Sequence, residues 1–346
     1  MSHLGALGVI TTKLDMFLSL FDNKNQTQQK KSVLVVGYGW GGKAFCDHID
    51  YRKYDVTVVS KTDYMLNTPK MKKSIMDTFQ ITKSIDNKPK FIHQEIQTQD
   101  DLQSNQHDYV VLAVGSEPND FQIPGVKENC FYFKTKEDCE KLSAALNTKK
   151  HVVIAGAGPA GLELAFELGK HHKVTLVEAM GTILPNFSEK TRTLIQQQLQ
   201  KSNINLQLNS AIQKVEPQKF LLKNGEISFD VAIWNCGVKP SGLIRQLTKE
   251  RSLPVNEYLL FRDNMYAIGD IVASKSHGPP TAQNAVQQGK YLATYFNNDF
   301  KGDPYKYDEK GKIIHTDTNI LLEIKDETYT LPKFIEFFID WIIESV

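Results

Sequence analysis

Hydrophobic and polar positions along the chain follow two alternating patterns. Short β-branched runs closed by glycine or a small residue alternate with stretches whose apolar positions recur every three to four residues. "SVLVVG" (32–37) predicts a strand buried on both faces, "GGKAFCDHID" (41–50) a helix, and "YDVTVVS" (54–60) a second strand. "YVVLAVG" (109–115) is another buried strand and "FQIPGV" (121–126) a loop. The pattern then restarts with "HVVIAG" (151–156), a helix from about Gly158, and "KVTLVEA" (173–179). An amphipathic helix around "EKTRTLIQQQLQKS" (189–202) precedes the strand series "NINLQLN", "AIQKVEP" and "KFLLKNG". "FDVAIWNCG" (229–237) echoes 109–115, "NMYAIGD" (264–270) ends one more strand, and "TAQNAVQQGKYLATYF" (281–296) reads as a helix. Strands alternating with helices predict an α/β fold whose parallel sheets are covered on both faces.

Both repeats carry a glycine motif between strand and helix. In Gly37-Tyr-Gly39-Trp40-Gly-Gly42, the first glycine permits a tight turn. The second lets backbone approach a pyrophosphate, and the third lets helix and strand pack closely. The phosphates would meet free N–H groups at the helix N-terminus. An acidic residue should end the next strand and bind the adenosine ribose. Ser60-Lys61 stands there instead, and Ser60 offers one hydrogen bond. Gly156-Ala-Gly158-Pro159-Ala-Gly161 repeats the motif with the acid in place, Glu178. A carboxylate there accepts both ribose hydroxyls of NAD and repels the 2′-phosphate of NADP, so NADH is the expected dinucleotide of this half. Glu163 lies just inside the helix. A carboxylate favoured by the helix N-terminus and a nicotinamide-side role both fit it.

The chain has 346 residues, enough for about two domains. Its net charge of +1 gives no reason to expect nucleic acid as a partner. The four cysteines (Cys46, Cys130, Cys139, Cys236) form no CxxC pair and no metal-like cluster, so no metal site is expected. Residues 1–21 are apolar and lack arginine, which fits a helix packed on the protein or resting on a membrane at least as well as a transit peptide. "DNKNQTQQKK" (22–31) is a polar linker.

Two dinucleotide units, the second embedded after the first, resemble the two-dinucleotide-binding-domain flavoproteins. The resemblance implies FAD on the first unit and NAD(P)H on the inserted one. "AVG" (113–115) and "CGVKP" (236–240) look like its paired crossover strands, and "AIGD" (267–270) like its second FAD motif. Within that superfamily the chain is most similar to type II NADH:quinone oxidoreductases. The residues that carry the likeness are "GYGWGG", "GPAGLELAFEL", "VTLVEAMGTILPNF", "WNCGVKP" and "PPTAQNAVQQGKYLA", the last similar to a quinone-site signature. The likeness covers about residues 32–297.

It implies an FAD-binding domain over 32–118 and 243–298, an NAD(H)-binding domain over 119–242, and a C-terminal docking region over 299–346 after the 1–31 segment. FAD contacts are implied for Gly37, Gly39, Trp40, Gly42, Ser60, Lys61, Ala113, Gly115, Gly269, Asp270 and Ala282. NAD contacts are implied for Gly156, Gly158, Pro159, Gly161, Glu163, Glu178 and Gly237. Gln283, Gln287 and Gln288 would serve the quinone, with Gln283 and Gln287 on one helix face. Where the family has a Thr-Pro-Leu-Leu-like loop at the flavin ring, this chain reads Thr68-Pro69-Lys70-Met71. Lys70 there could steady the reduced flavin, narrow the quinone path or point to water.

The implied reaction is transfer of two electrons from NADH through FAD to a quinone without proton pumping, at the mitochondrial inner membrane. A catalytically silent flavoprotein-fold subunit of a larger respiratory assembly is the alternative. The quinone's tail calls for lipid contact, and "PKFIEFFIDWIIESV" (332–346) is the candidate. As a helix of fifteen residues it reaches about 22 Å, short of the roughly 30 Å hydrocarbon core, so it would lie in the interface. Its polar stripe of Glu336, Asp340 and Glu344 is acidic, which equally suits docking on a partner chain or a homodimer.

Overall fold

The computed structural model describes residues 29–76, 82–84, 88–103, 107–272 and 274–336. The N-terminal apolar segment and most of the C-terminal one lie outside these residues.

Strand β1 (Lys31–Val36) is followed by helix α1 (Trp40–His48) and strand β2 (Tyr54–Ser60). Val33, Leu34 and Val35 are fully buried because a parallel sheet covered by helices leaves neither face to water. β1 is central in a six-stranded sheet, parallel to β2 on one side and to Tyr109–Leu112 on the other. Lys90–His93 flanks β2, and Met265–Ala267 returns from far along the chain to lie parallel to Tyr109–Leu112. The first unit is therefore built from two separated pieces of sequence.

Between them, β3 (His151–Ala155), helix α2 (Pro159–Gly169) and β4 (Lys173–Val177) repeat the same unit in a five-stranded parallel sheet. Val231–Trp234, Asn205–Gln207 and Phe131–Tyr132 complete it. Helix α3 (Glu189–Lys201) covers this unit, with Ser188 accepting from Thr191 N–H at its N-terminus. Two antiparallel strands, Ser116–Pro118 and Val238–Pro240, are the crossovers between the units.

Helix α4 (Ala282–Asn297) packs on α1. Gly289 permits the contact, since a Cβ there would sit 2.4 Å from the Gly41 carbonyl oxygen.

The region expected for external docking differs from expectation over 312–332. Strands β5 (Lys312–His315), β6 (Asn319–Ile324) and β7 (Glu327–Pro332) form an antiparallel sheet that docks on the second unit of its own chain. Ile314 and Leu321 join the core formed by α2 and its sheet. Burial works to raise the Glu323 carboxyl. Hydrogen bonds from Thr191, Ser188 and Lys312 outweigh it and hold the group down at about 2. Of the terminal segment only residues 332–336 are described: Phe334 is exposed, and Glu336 lies 3.1 Å from Lys73. No helix among the described residues is long and apolar enough to cross a membrane.

Candidate functional site: two glycine cradles

The two glycine motifs adopt one geometry. Gly37 and Gly156 have φ of 101° and 102°, a region L side chains avoid, and each donates its N–H to the last residues of the neighbouring strand, at Val59 and Val177. A Cβ at Gly42 would lie 2.2 Å from the Gly37 oxygen, and one at Gly161 2.0 Å from the Gly156 oxygen. The third glycine of each motif thus presses helix onto turn. The middle glycines differ: a Cβ at Gly39 or Gly158 would meet no atom within 4 Å. Each stands at the N-cap of its helix, with open space before the free N–H groups. Pro159 opens α2, where a missing N–H costs nothing.

Around the first cradle, Ser60 ends β2, buried, with Thr62 N–H directed at its hydroxyl. Lys61 presents its carbonyl to His93. The Trp40 indole N–H donates to Thr68 Oγ1 at 3.1 Å, tying α1 to the turn that carries Pro69 and Lys70. Ala113 and Gly115 leave the Tyr109–Leu112 strand beside Gly37, and a Cβ at Gly37 would lie 2.5 Å from the Ala113 oxygen. Asp270 accepts a 2.6 Å hydrogen bond from Ser116, with the Lys134 ammonium 3.8 Å away. Gly269, at φ 82°, donates its N–H to Gln288. Ala282 begins α4, capped by Thr281.

In the second cradle, Glu178 accepts from the N–H groups of Ala157 and Met180, both at 2.9 Å. Its carboxylate lies directly against the glycine turn. Gly237, at φ 58°, accepts from Asn119 N–H where the chain crosses between units.

The three glutamines are placed differently from the expected open pair beside a quinone. Gln283 accepts from the Tyr307 hydroxyl and from Lys310 N–H. Gln287 exchanges hydrogen bonds with the Asp308 backbone, at 2.7 and 3.0 Å. Both do share a face of α4, but that face holds the 307–311 segment. Gln288 is fully buried and bridges Gly269 N–H and the His277 carbonyl. All three amides brace backbone.

One cluster escaped sequence reasoning. Lys72, two residues beyond Lys70, is buried and lies 2.9 Å from Glu163. Glu163 also accepts from His315 N–H, and His315 Nδ1 stands 3.0 Å from Glu336. Burial works against the Glu336 charge, but His315 and Lys73 outweigh it and hold the carboxyl down at about 2. Burial pushes Lys333 below the usual lysine range, and its ammonium donates to the carbonyls of Thr316 and Asp317. These groups line a cavity of about 170 Å³ where the segment after the Thr68–Lys70 turn, α2 and the C-terminal sheet meet. The sequence signal was only a run of lysines; the pairing spans 91 positions between Lys72 and Glu163.

Burial governs three of the four cysteine thiols. Burial pushes the thiols of Cys236 and Cys130 up to about 12 and that of Cys139 up to about 11. All four are free, and Cys46 is buried in α1.

Comparison with known proteins agrees with this geometry. The model of the pyridine nucleotide-disulphide oxidoreductase family matches residues 31–289. Among curated proteins, the chain is 27% identical over 380 aligned positions to the external NADH-ubiquinone oxidoreductase 2 of Saccharomyces cerevisiae, spanning 88% of this chain and 70% of that one. It is 26% identical to the external alternative NADH-ubiquinone oxidoreductase of Yarrowia lipolytica, spanning 86% of this chain and 64% of the relative. The fold is similar to that of the NDH2 of Plasmodium falciparum solved with NADH, with a TM-score of 0.81 at 21% identity over 91% of this chain and 94% of that one. With two glycine cradles in one mould, crossover strands between them and a family match across both, the chain belongs to the pyridine nucleotide-disulphide oxidoreductase family.

Proposed function

We propose that this chain oxidises NADH and passes two electrons, through FAD, to a quinone. The carrying observation is the pair of open cradles, each a helix N-terminus behind a glycine with nothing within 4 Å of its would-be Cβ. The residues fit the two groups unequally. Glu178 suits the diol of NADH, whereas Ser60 gives the first cradle a weaker ribose contact. Bound FAD would supply the two-electron chemistry that links a hydride donor to a quinone. The chain's part is to hold and orient. Gly39 and Gly158 leave room for pyrophosphate, Trp40 fixes the Thr68–Lys70 turn through Thr68, and Gln288 fixes Gly269 beside Asp270. The relatives named above carry ubiquinone and mitochondria in their names, which supports a quinone acceptor and a mitochondrial location for this chain. Peripheral placement on the inner membrane rests on the apolar 332–346 segment. The bracing of Gln283 and Gln287 favours a supporting role for them: they hold the 307–311 segment.

Both cradles are intact, so no observation favours a silent subunit. The test is rapid mixing under anaerobic conditions. NADH should bleach the flavin band of the purified protein, and a short-chain quinone should then restore it. A flavin that bleaches and is not reoxidised by any quinone would reject the acceptor. A protein purified without flavin and unable to bind it would reject the whole reading.

A further inference from the structure

A second cavity lies away from both cradles, on the side of α4 that faces the 301–310 segment. It is an open groove of about 540 Å³. Its lining is mostly apolar, supplied by Tyr291, Tyr295 and Tyr305. These rings are fixed: Tyr291 and Tyr295 stack at 6.0 Å, Tyr291 meets Tyr305 edge-on at 5.3 Å, and Tyr295 stacks on Tyr258 at 5.3 Å. The phenols are committed too, Tyr291 to the Asp303 carbonyl and Tyr305 to Asn284. The wall is therefore a rigid apolar surface.

Lysines rim it. Lys290, Lys301, Lys306 and Lys310 face two aspartates, Asp303 and Asp308. Asp308 is paired with Lys310, and the neighbouring Asp299 with Lys53. Lys290, Lys301 and Lys306 pair with no carboxylate among the described residues. Asp303 lines the groove with them, and Glu257 stands near enough to act on the Tyr291 phenol. Among the described residues, three lysines against these two carboxylates leave a local excess of positive charge beside an apolar wall.

That combination fits an amphiphile with an anionic head: the head on the lysines, the glycerol and first methylenes against the tyrosines. Tyrosine and lysine are the residues that settle at the headgroup level of a bilayer, where the ring is half apolar and the lysine reaches phosphate. We propose that this groove is a docking site for the headgroup of an anionic phospholipid, and that it turns this face of α4 to the membrane. Asp340 and Glu344 of the terminal sequence carry charge that an anionic leaflet would repel, and the groove would supply an attraction that they do not. Gln287 lines the same groove, so the membrane-facing surface would border the glutamine helix named for the acceptor.

Vesicle co-sedimentation of the full chain tests this without NADH or quinone, so its failure leaves the redox reading standing. Phosphatidylcholine vesicles report any contribution of the apolar terminal segment. Vesicles doped with phosphatidylglycerol report the groove. Partition onto the doped vesicles should exceed that onto neutral ones by about a hundredfold at low salt and fall as salt rises. The Lys290→Ala/Lys301→Ala/Lys306→Ala variant should lose most of that factor, with neutral-vesicle partition and thermal melting unchanged. Equal partition onto both vesicle types, or an unaffected variant, overturns the proposal. Release of the chain from doped vesicles by micromolar glycerol phosphate would mark a free-anion site and likewise overturn it.

Discussion

Gly39 and Gly158 differ from the other motif glycines in what surrounds them, and this separates ligand loss from misfolding. A Cβ at Gly39 meets empty space, whereas one at Gly42 collides with the Gly37 oxygen at 2.2 Å. Gly39→Val should therefore fold and lose flavin, while Gly42→Val should fail to fold. Flavin absorbance beside circular dichroism distinguishes them; a folded Gly39→Val protein with stoichiometric FAD would contradict the assignment of the first cradle. Glu178 makes a second residue-scale prediction. Its carboxylate lies against the second glycine turn, so it should discriminate against the 2′-phosphate of NADPH. Glu178→Gln should narrow the NADH preference mainly by improving NADPH, read as kcat/KM for each. Equal use of both cofactors by the unaltered protein would contradict it.

At the scale of elements, the glycine turns and their flanking strands and helices were legible because each rests on local chemistry: a β-branched run, a glycine forced to positive φ, an N-terminus. Helix α4 was legible as a helix, but its partners were not. No spacing rule tells that Gln287 will meet Asp308 backbone or that Gln288 will meet Gly269, since amide partners are set by tertiary packing. The antiparallel sheet of β5, β6 and β7 was missed for a related reason. Its strands are short and mixed in polarity, and one face closes only on the second unit's core through Ile314 and Leu321.

Glu323 anchors that sheet and gives it a pH dependence. Its folded-state pKa of about 2 lies below the ordinary 4.5, so its contribution is complete above about pH 4.5 and is lost as pH falls from there towards 2. The shift corresponds to about 3 kcal/mol. Glu323→Ala should lower the melting temperature at pH 7 and flatten its fall between pH 5 and 3; a variant melting like the parent would show that the anchor adds nothing. Lys72 joins two units in the same way. Removing one partner of a buried ion pair strands the other, at about 3–5 kcal/mol. Lys72→Met should destabilise the chain by that order in urea unfolding, and the double variant with Glu163→Gln should recover part of it. Equal stability of parent and Lys72→Met would mean that water replaces the pair.

On the scale of the whole molecule, one mould is used twice with different surroundings. The first sheet closes only when Met265–Ala267 returns to Tyr109–Leu112, so the second unit is inserted in the first and joined to it by the paired crossover strands. That arrangement was legible as a repeat of glycine motifs in the sequence. The cluster where the segment after the Thr68–Lys70 turn, α2 and the C-terminal sheet meet was not, because it needs all three in space. On the proposed reading, two dinucleotides held by separate cradles can exchange a hydride only if both are held at once.

The central claim is thus that the two cradles hold different groups and act in series. The visible spectrum of Gly158→Val, recorded before and after anaerobic NADH and then after dithionite, tests it most directly. A Cβ at Gly158 meets no protein atom within 4 Å, so the fold should survive while the pyrophosphate of NADH is excluded. The account predicts a yellow protein whose flavin band resists NADH and bleaches with dithionite. Bleaching by NADH at the parent rate would contradict it, because the dinucleotide would then be reaching the flavin without the second cradle.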